Sequence, residues 1–146
     1  MGPLATILAK AQNATMTTDQ GQPRARCRVL VVDDSPDVGD SLALLLKTFG
    51  AEVRVARSGE EGLATCAEFA PELILLDISM PGMDGFETAR RLRKLPTTSH
   101  ATLVALTGRG EEDMRRRVKH AGFDRHLTKP ADLDELASLL GVAPQS

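Results

Sequence analysis

The sequence predicts an α/β fold: a doubly wound parallel sheet with helices on both faces, in a single domain. Three observations predict it. Short continuous apolar runs recur, Val29–Val32 and Leu73–Leu76 among them, as in strands covered on both faces. The segments between them place apolar residues at helical spacing, and most open with a residue that caps helices. From Arg28 onward the two kinds of segment alternate strictly, and β–α–β alternation with right-handed crossovers gives a parallel sheet.

In chain order, Val29-Leu30-Val31-Val32 is the first strand and ends in Asp33-Asp34. Ser35 caps a helix with Pro36 at its first position. Val38, Leu42, Leu45, Leu46 and Phe49 mark the inner face of that helix, and Gly50 stops it. Glu52 to Ala56 is a short second strand. Ser58 and Glu61 form a capping-box pair opening a second helix that buries Leu63, Cys66 and Ala67. Leu73 to Leu76 is the third strand, ending at Asp77. A loop with Pro81 and Gly82 follows, and Asp84 with Glu87 caps a third helix. Thr102 to Leu106 is the fourth strand, ending at Thr107. The fourth helix opens acidic (Glu111, Glu112, Asp113) and continues basic (Arg115, Arg116, Arg117, Lys119), which suits its dipole. Met114, Val118 and Ala121 face inward and Gly122 ends it. Asp124 to Leu127 is a short fifth strand before Lys129-Pro130, and Asp132 caps a last helix carrying Leu133, Leu136 and Leu140.

Composition narrows the function classes. The chain has 146 residues, 42% apolar and 26% charged, an ordinary globular balance for one domain. A net charge of -2 gives no basic field to recruit nucleic acid or an anionic membrane. Trp and Tyr are absent and Phe numbers four, so base-stacking platforms lack material. No apolar run approaches the roughly 20 residues of a membrane helix. Cys27 and Cys66 form neither a metal-ligand spacing nor a disulfide framework, and read as reduced thiols of a cytoplasmic protein. Leu4, Ile7 and Leu8 make only a short, broken apolar stretch with no basic residue before Lys10, which argues against a secretion signal.

Residues 1–26 are rich in Thr, Gln and Ala and are expected to be a flexible tail or linker. Leu4, Ile7, Leu8 and Ala11 share a helical face, but one short helix is marginal alone. Met16 offers an alternative start. The domain is expected over 27–142, with 143–146 a short tail and no output domain attached. Arg115-Arg116-Arg117 reads as the solvated face of the fourth helix, and His100 and His120 as plain surface residues.

In such sheets ligands bind outside the carboxyl ends of the strands, and four of the five strands end in distinctive chemistry: Asp33-Asp34, Asp77, Thr107 and Lys129. An Asp after a strand is usually a cap, a Thr a turn residue and a Lys-Pro step a loop; it is the combination that matters. Three carboxylates in one crevice repel, so positive charge must be supplied there. Lys129 supplies one charge and a hard cation two more. Mg²⁺, or equally Mn²⁺, fits such a site, binding one or two carboxylates and keeping positions for waters and phosphate oxygens. A carboxylate nucleophile, a metal, an ammonium and a hydroxyl suit phosphoryl transfer.

The motifs VLVVDDSPD, ILLDISMPGMDG, ALTG and HLTKP closely resemble the receiver domains of bacterial response regulators and hybrid histidine kinases, over roughly residues 28–141. The resemblance implies a flavodoxin-like (βα)5 fold with strand order 2-1-3-4-5. It implies that Asp77 is the phosphoacceptor, attacking a phosphohistidine of a histidine kinase or histidine phosphotransfer domain, or a small acyl phosphate. Asp34 and Asp77 would bind the metal through side chains, Asp33 through water, and Ser79 through its backbone carbonyl. Lys129 would grip the phosphoryl oxygens, before a cis peptide at Pro130. Thr107 would swing toward the phosphoryl group, and Gly108 would leave room for the donor. Ser79 and Arg109 would border the cleft and tune the lifetime of the phosphorylated state. The chain departs from the common pattern at His126, where an aromatic Tyr or Phe usually couples to the switch Thr; a histidine there fills the slot as a flat ring or sits at the surface without a sensing role.

The resemblance also implies a cytoplasmic signalling module, monomeric or weakly dimeric, that acts on a protein target through its surface. The AGFDRHLTKP wording is slightly closer to hybrid-kinase receivers than to free-standing regulators. A phosphohydrolase of the haloacid dehalogenase type is the alternative, since it too forms an aspartyl phosphate. It requires a second Asp two positions after the nucleophile, where this chain has Ser79. A scaffold that has lost phosphorylation is a third reading, against which every expected site residue stands present.

Overall fold

The computed structural model describes residues 27–108 and 114–141. Five strands form one parallel sheet: β1 Arg28–Val32, β2 Glu52–Ala56, β3 Leu73–Asp77, β4 Thr102–Thr107 and β5 Arg125–Thr128, in the order β2-β1-β3-β4-β5. The helices between and after them are α1 Pro36–Thr48, α2 Gly59–Phe69, α3 Gly85–Leu92, α4 Arg115–His120 and α5 Leu133–Leu140. The expected tails at 1–26 and 143–146, the acidic opening Glu111-Glu112-Asp113 and Arg109 lie outside the described residues.

The continuous apolar runs are explained by two cores, one on each face of the sheet. Leu30, Val32, Ile74, Leu76, Leu103 and Ala105 face a core completed by Cys66 of α2, Phe86, Ala89 and Leu92 of α3, and Val118 of α4. Their neighbours Val29, Val31, Leu73, Leu75, Val104 and Leu106 face the other way, onto Leu42 and Leu46 of α1 and Leu136, Leu139 and Leu140 of α5. Successive side chains of a strand point to opposite faces, so every residue of such a run is buried. Each fully buried Leu or Ile contributes about 1.5–3 kcal/mol relative to exposure.

The helix starts follow their caps. Ser35 accepts from the amide of Val38, Asp84 from that of Glu87, and Asp132 from that of Glu135. At α5 the box is closed, because the Glu135 carboxylate accepts from the Asp132 amide. At α2 it is not. Ser58 accepts from the Glu61 amide, but the Glu61 carboxylate reaches one residue further and accepts from the amide of Arg57 at 2.8 Å. The inner face of α2 is also rotated from expectation: Ala67 is exposed, and Phe69 is buried with Cys66 and Gly62. In α5 the opening Leu133 is 52% exposed while Leu139 is buried.

The fifth strand starts at Arg125, one residue later than expected, directly after Asp124, whose amide donates to the Leu103 carbonyl at 2.8 Å. The Asp124 carboxylate accepts from the Leu103 amide at 2.9 Å and from Arg93 Nη2 at 2.8 Å. Arg93 also donates to the carbonyls of Gly122, Ala101 and Ser99, and so ties the end of α3 to the amino ends of β4 and β5. On α4, Arg115, Arg116 and Arg117 are all exposed as expected, and the Arg117 guanidinium also lies 4.2 Å from the centroid of the Phe86 ring. His100 and His120 are both exposed. Among the described residues no helix is long and apolar enough to cross a membrane.

Both cysteines are buried and unpaired. Burial pushes the Cys27 thiol up to about 12, with Glu72 adding to the effect, and burial alone does the same at Cys66, also to about 12. The thiolate is the reactive form, so neither residue should react with a thiol-directed reagent at neutral pH while the protein is folded. Titration with a chromogenic disulfide is expected to detect no fast-reacting thiol in buffer and both after denaturation; a stoichiometric fast phase in buffer would contradict the burial.

Candidate functional site

At the carboxyl edge of the sheet, β1 sits between β2 and β3, and the chain leaves β1 and β3 toward opposite faces. This is the topological switch point where α/β sheets open a crevice. Asp33 and Asp34 follow β1, and Asp77 is the last residue of β3. One carboxylate oxygen from each of Asp33, Asp34 and Asp77 lies within 4.8 Å of the others. Asp33 and Asp77 are buried and Asp34 is exposed.

The two buried acids are held alike. Asp33 Oδ1 accepts from the Ser35 amide at 2.9 Å, and Asp77 Oδ1 from the Ser79 amide at 3.0 Å. Their Oδ2 atoms share one cation: Lys129 Nζ stands 3.1 Å from Asp33 and 3.4 Å from Asp77. Lys129 arrives from β5 across the sheet; its amide donates to the Thr107 carbonyl at 2.7 Å, and a cis peptide joins it to Pro130.

Charge and burial compete here. Burial pushes the Asp77 carboxyl above the ordinary range; the Ser79 amide and Lys129 pull it down without cancelling the effect, and Asp33 adds to the rise. At Lys129 burial works against the charged form, but Asp77 and Asp33 together outweigh it and raise its pKa. Lys129 is therefore an ammonium at neutral pH. One ammonium among three carboxylates leaves an excess of two negative charges, and all the available donors are hard oxygens. Such a donor set fits Mg²⁺ or Mn²⁺.

The remaining residues singled out from the sequence lie around this cluster. Thr107 is buried at the end of β4, and its hydroxyl donates to the Leu127 carbonyl at 3.2 Å. Gly108 follows it and is half-buried, Ser79 is exposed, and His126 is exposed on β5. Sequence reasoning passed over two glycines that fix the loop carrying Asp77. A Cβ on Gly85 would strike the Asp77 carbonyl and the Ile78 Cα, and one on Gly59 would strike the Thr88 hydroxyl and crowd the Met83 carbonyl. The D-G step at 84–85 was the available signal for the first; nothing local marks the second.

Comparison with known proteins agrees with this geometry. The family model described as "Response regulator receiver domain" matches residues 29–141. An uncharacterized 14.6 kDa protein of Leptolyngbya boryana is 40% identical over 119 residues, spanning 82% of this chain and 91% of that protein. The DNA-binding dual master transcriptional regulator RpaA of Synechocystis is 34% identical over 109 residues, which are 75% of this chain but only 45% of that longer protein. Among solved structures, chemotaxis protein CheY4 of Vibrio cholerae superposes with a TM-score of 0.75 at 29% identity, covering 80% of this chain and 97% of that one.

Two outcomes follow from the site's geometry. Between the ordinary carboxylate value of 3.8 and the raised value in the fold, the native chain keeps a proton that the unfolded chain has released, so stability falls as pH rises through that window. Asp77→Asn removes the cost of the ionised form. Without divalent ions its melting temperature is expected to exceed that of the wild type near neutral pH, with the gap closing as pH falls toward about 3.8. Gly85→Ala is expected to destabilise by about 1–3 kcal/mol, as overpacking does, and to shift the amide signals of Ile78 and Ser79. Thermal melts across pH and an amide spectrum check both.

Proposed function

The chain belongs to the response regulator receiver domain family, and from that premise we propose that it is a phosphoacceptor of two-component signalling, phosphorylated on Asp77 with the help of a divalent metal ion. The observation that carries the reading is the convergence of Asp33, Asp34 and Asp77, with the Lys129 ammonium paired to Asp33 and Asp77. The donor is a phosphohistidine on a histidine kinase or histidine phosphotransfer domain, or a small acyl phosphate. An oxygen of Asp77 attacks phosphorus; the new O–P bond forms as the P–N bond to the imidazole breaks, and the imidazole departs with the electron pair. The product is an aspartyl phosphate.

Each residue has a part in this reading. Lys129 pairs with Asp77 before reaction and with phosphoryl oxygens after it. The Ser79 amide, donating to Asp77 Oδ1, orients the carboxylate. Asp34, Asp33, Asp77 and the Ser79 carbonyl would hold Mg²⁺ or Mn²⁺, whose chemistry is to neutralise phosphoryl oxygens and align the donor. Thr107 exchanges its bond to Leu127 for one to the phosphoryl group, and Gly108 leaves room for the donor. The side chains of Ser79 and Arg109 set how long the aspartyl phosphate lasts. An apolar groove of about 440 Å³ opens beside Lys129, lined by Val38, Leu42, Leu45, Pro130 and Ala131, and offers the donor protein a footing.

Output passes through a protein-binding surface of a cytoplasmic module, either free-standing or the terminal receiver of a hybrid kinase. DNA binding, named for the longer relative RpaA, is not carried over, because the match spans less than half of that protein. Turnover of the haloacid dehalogenase type is disfavoured by Ser79, which offers no carboxylate where that chemistry needs a second acid.

Incubation with acetyl phosphate and Mg²⁺ is expected to add one phosphoryl mass to the wild type and none to Asp77→Asn. Asp34→Ala is expected to slow the gain at least about tenfold, by analogy with the 10–100-fold losses seen for residues supporting a metal, and EDTA to suppress it. Undiminished labelling of Asp77→Asn, read by intact mass, would refute the assignment.

A further inference from the structure

The common receiver pattern links the switch Thr to an aromatic on the fifth strand, but here that position is His126, which is exposed. A buried ring follows the reacting loop instead. Phe86 is 4% exposed and directly follows Gly85, whose Cα lies so close to the Asp77 carbonyl that no side chain fits between them. The Gly85 amide also donates to the Ile78 carbonyl. The backbone at Asp77 and Ile78 is therefore packed directly against Gly85, one residue before Phe86.

Phe86 contacts two other elements. Phe123, which leads into β5, packs on it edge to face, with centroids 6.4 Å apart and planes at 85°. The Arg117 guanidinium of α4 covers its face at 4.2 Å, and one of its nitrogens reaches Met114 Sδ at 3.8 Å. A guanidinium over an aromatic face is attracted by the ring quadrupole, and this one lies at the surface, where the stack can part without leaving a buried charge. Among the described residues helix α4 has few other holds. Of its six residues only Val118 is buried, supported by its neighbours Met114 and Ala121.

We propose that Phe86 and Arg117 form a coupling device that ties α4 to the phosphoacceptor loop, so that the state of Asp77 sets the position of α4. The inference rests on the reading of Asp77 as phosphoacceptor only for the signal that drives the device; the mechanical link exists without it. Phosphorylation shifts the Asp77–Ser79 backbone, Gly85 transmits the shift by contact, and the Phe86 ring moves beneath the guanidinium. Helix α4 then follows the ring or releases it. Both Phe86 and Arg117 are positioning residues outside the acidic cluster.

The test compares wild type, Arg117→Ala, Arg117→Lys and Phe86→Leu by backbone amide spectra, with and without acetyl phosphate and Mg²⁺. In unmodified protein Arg117→Ala is expected to shift the amides of residues 77–85, although it lies on another helix. All four proteins are expected to gain the phosphoryl mass. The phosphorylation-dependent shifts of residues 115–120 are expected to fall by at least about half in Arg117→Ala and Phe86→Leu, since a ligand moves an element only through differential contacts. Arg117→Lys keeps a cation over the ring and is expected to restore part of the response. Unmoved 77–85 amides in Arg117→Ala, or a wild-type α4 response in either stack-breaking variant, would overturn the coupling. Absence of any mass gain in the wild type would refute the phosphoacceptor reading instead, and the unmodified spectra would still decide the coupling.

Discussion

Everything at the carboxyl edge of this sheet depends on one ammonium shared by two buried carboxylates. Asp33 and Asp77 are too close, and too far from water, to be ionised side by side without compensation. Lys129 provides it, at 3.1 and 3.4 Å, and is itself kept charged by the pair. The charges do not balance: a third carboxylate at Asp34 and the excess negative charge make the cluster a receptor for a cation and, through it, for an anion. An apolar trio in the same place would hold the fold as well or better, since desolvating buried ions often costs more than their attraction returns, but it would have no chemistry to offer.

The fold brings these four side chains together from three strands. Asp33 and Asp34 come from the end of β1, Asp77 from β3 beside it, and Lys129 from beyond β5. Adjacent parallel strands in matched register, Val32 opposite Leu76 and Asp77 opposite Leu106, fix how far apart the strand ends lie. The glycines at 59 and 85 then let α2 and α3 close on the Asp77 loop from two sides, since a Cβ on either would strike it or the residues that follow it.

Much of this was legible in the sequence because it is local. Strands written as unbroken Val, Leu and Ile, caps at Ser35, Asp84 and Asp132, and stops at Gly50 and Gly122 each depend on residues a few positions apart. The site was legible for the same reason: its members stand at strand ends, and the topology rule says that strand ends meet. What escaped depends on distant partners. Asp124, just ahead of the fifth strand, holds Arg93 at the end of α3 through its carboxylate. Glu61 served Arg57 and not Ser58. Arg117 is exposed, as the sequence indicated, but its stacking over the ring of Phe86 could not be read there. Periodicity placed Ala67 on the inner face of α2, whereas in the fold Ala67 is exposed and Phe69 is buried, with the Arg54 guanidinium 4.5 Å from its ring centroid.

The two outermost strands add a different kind of consequence. A sheet with open edges invites another chain to continue its ladder, and proteins guard against this with charge at the edge. On β2 the exposed residues are Glu52 and Arg54, and on β5 they are Arg125 and His126. The enclosed strands β3 and β4 carry no charge except Asp77 at the very end of β3. The segments richest in unbroken aliphatic sequence are thus shielded by neighbours whose own borders carry both signs of charge. The most adhesive stretches of the chain are kept out of reach of its own copies for as long as the sheet stays whole.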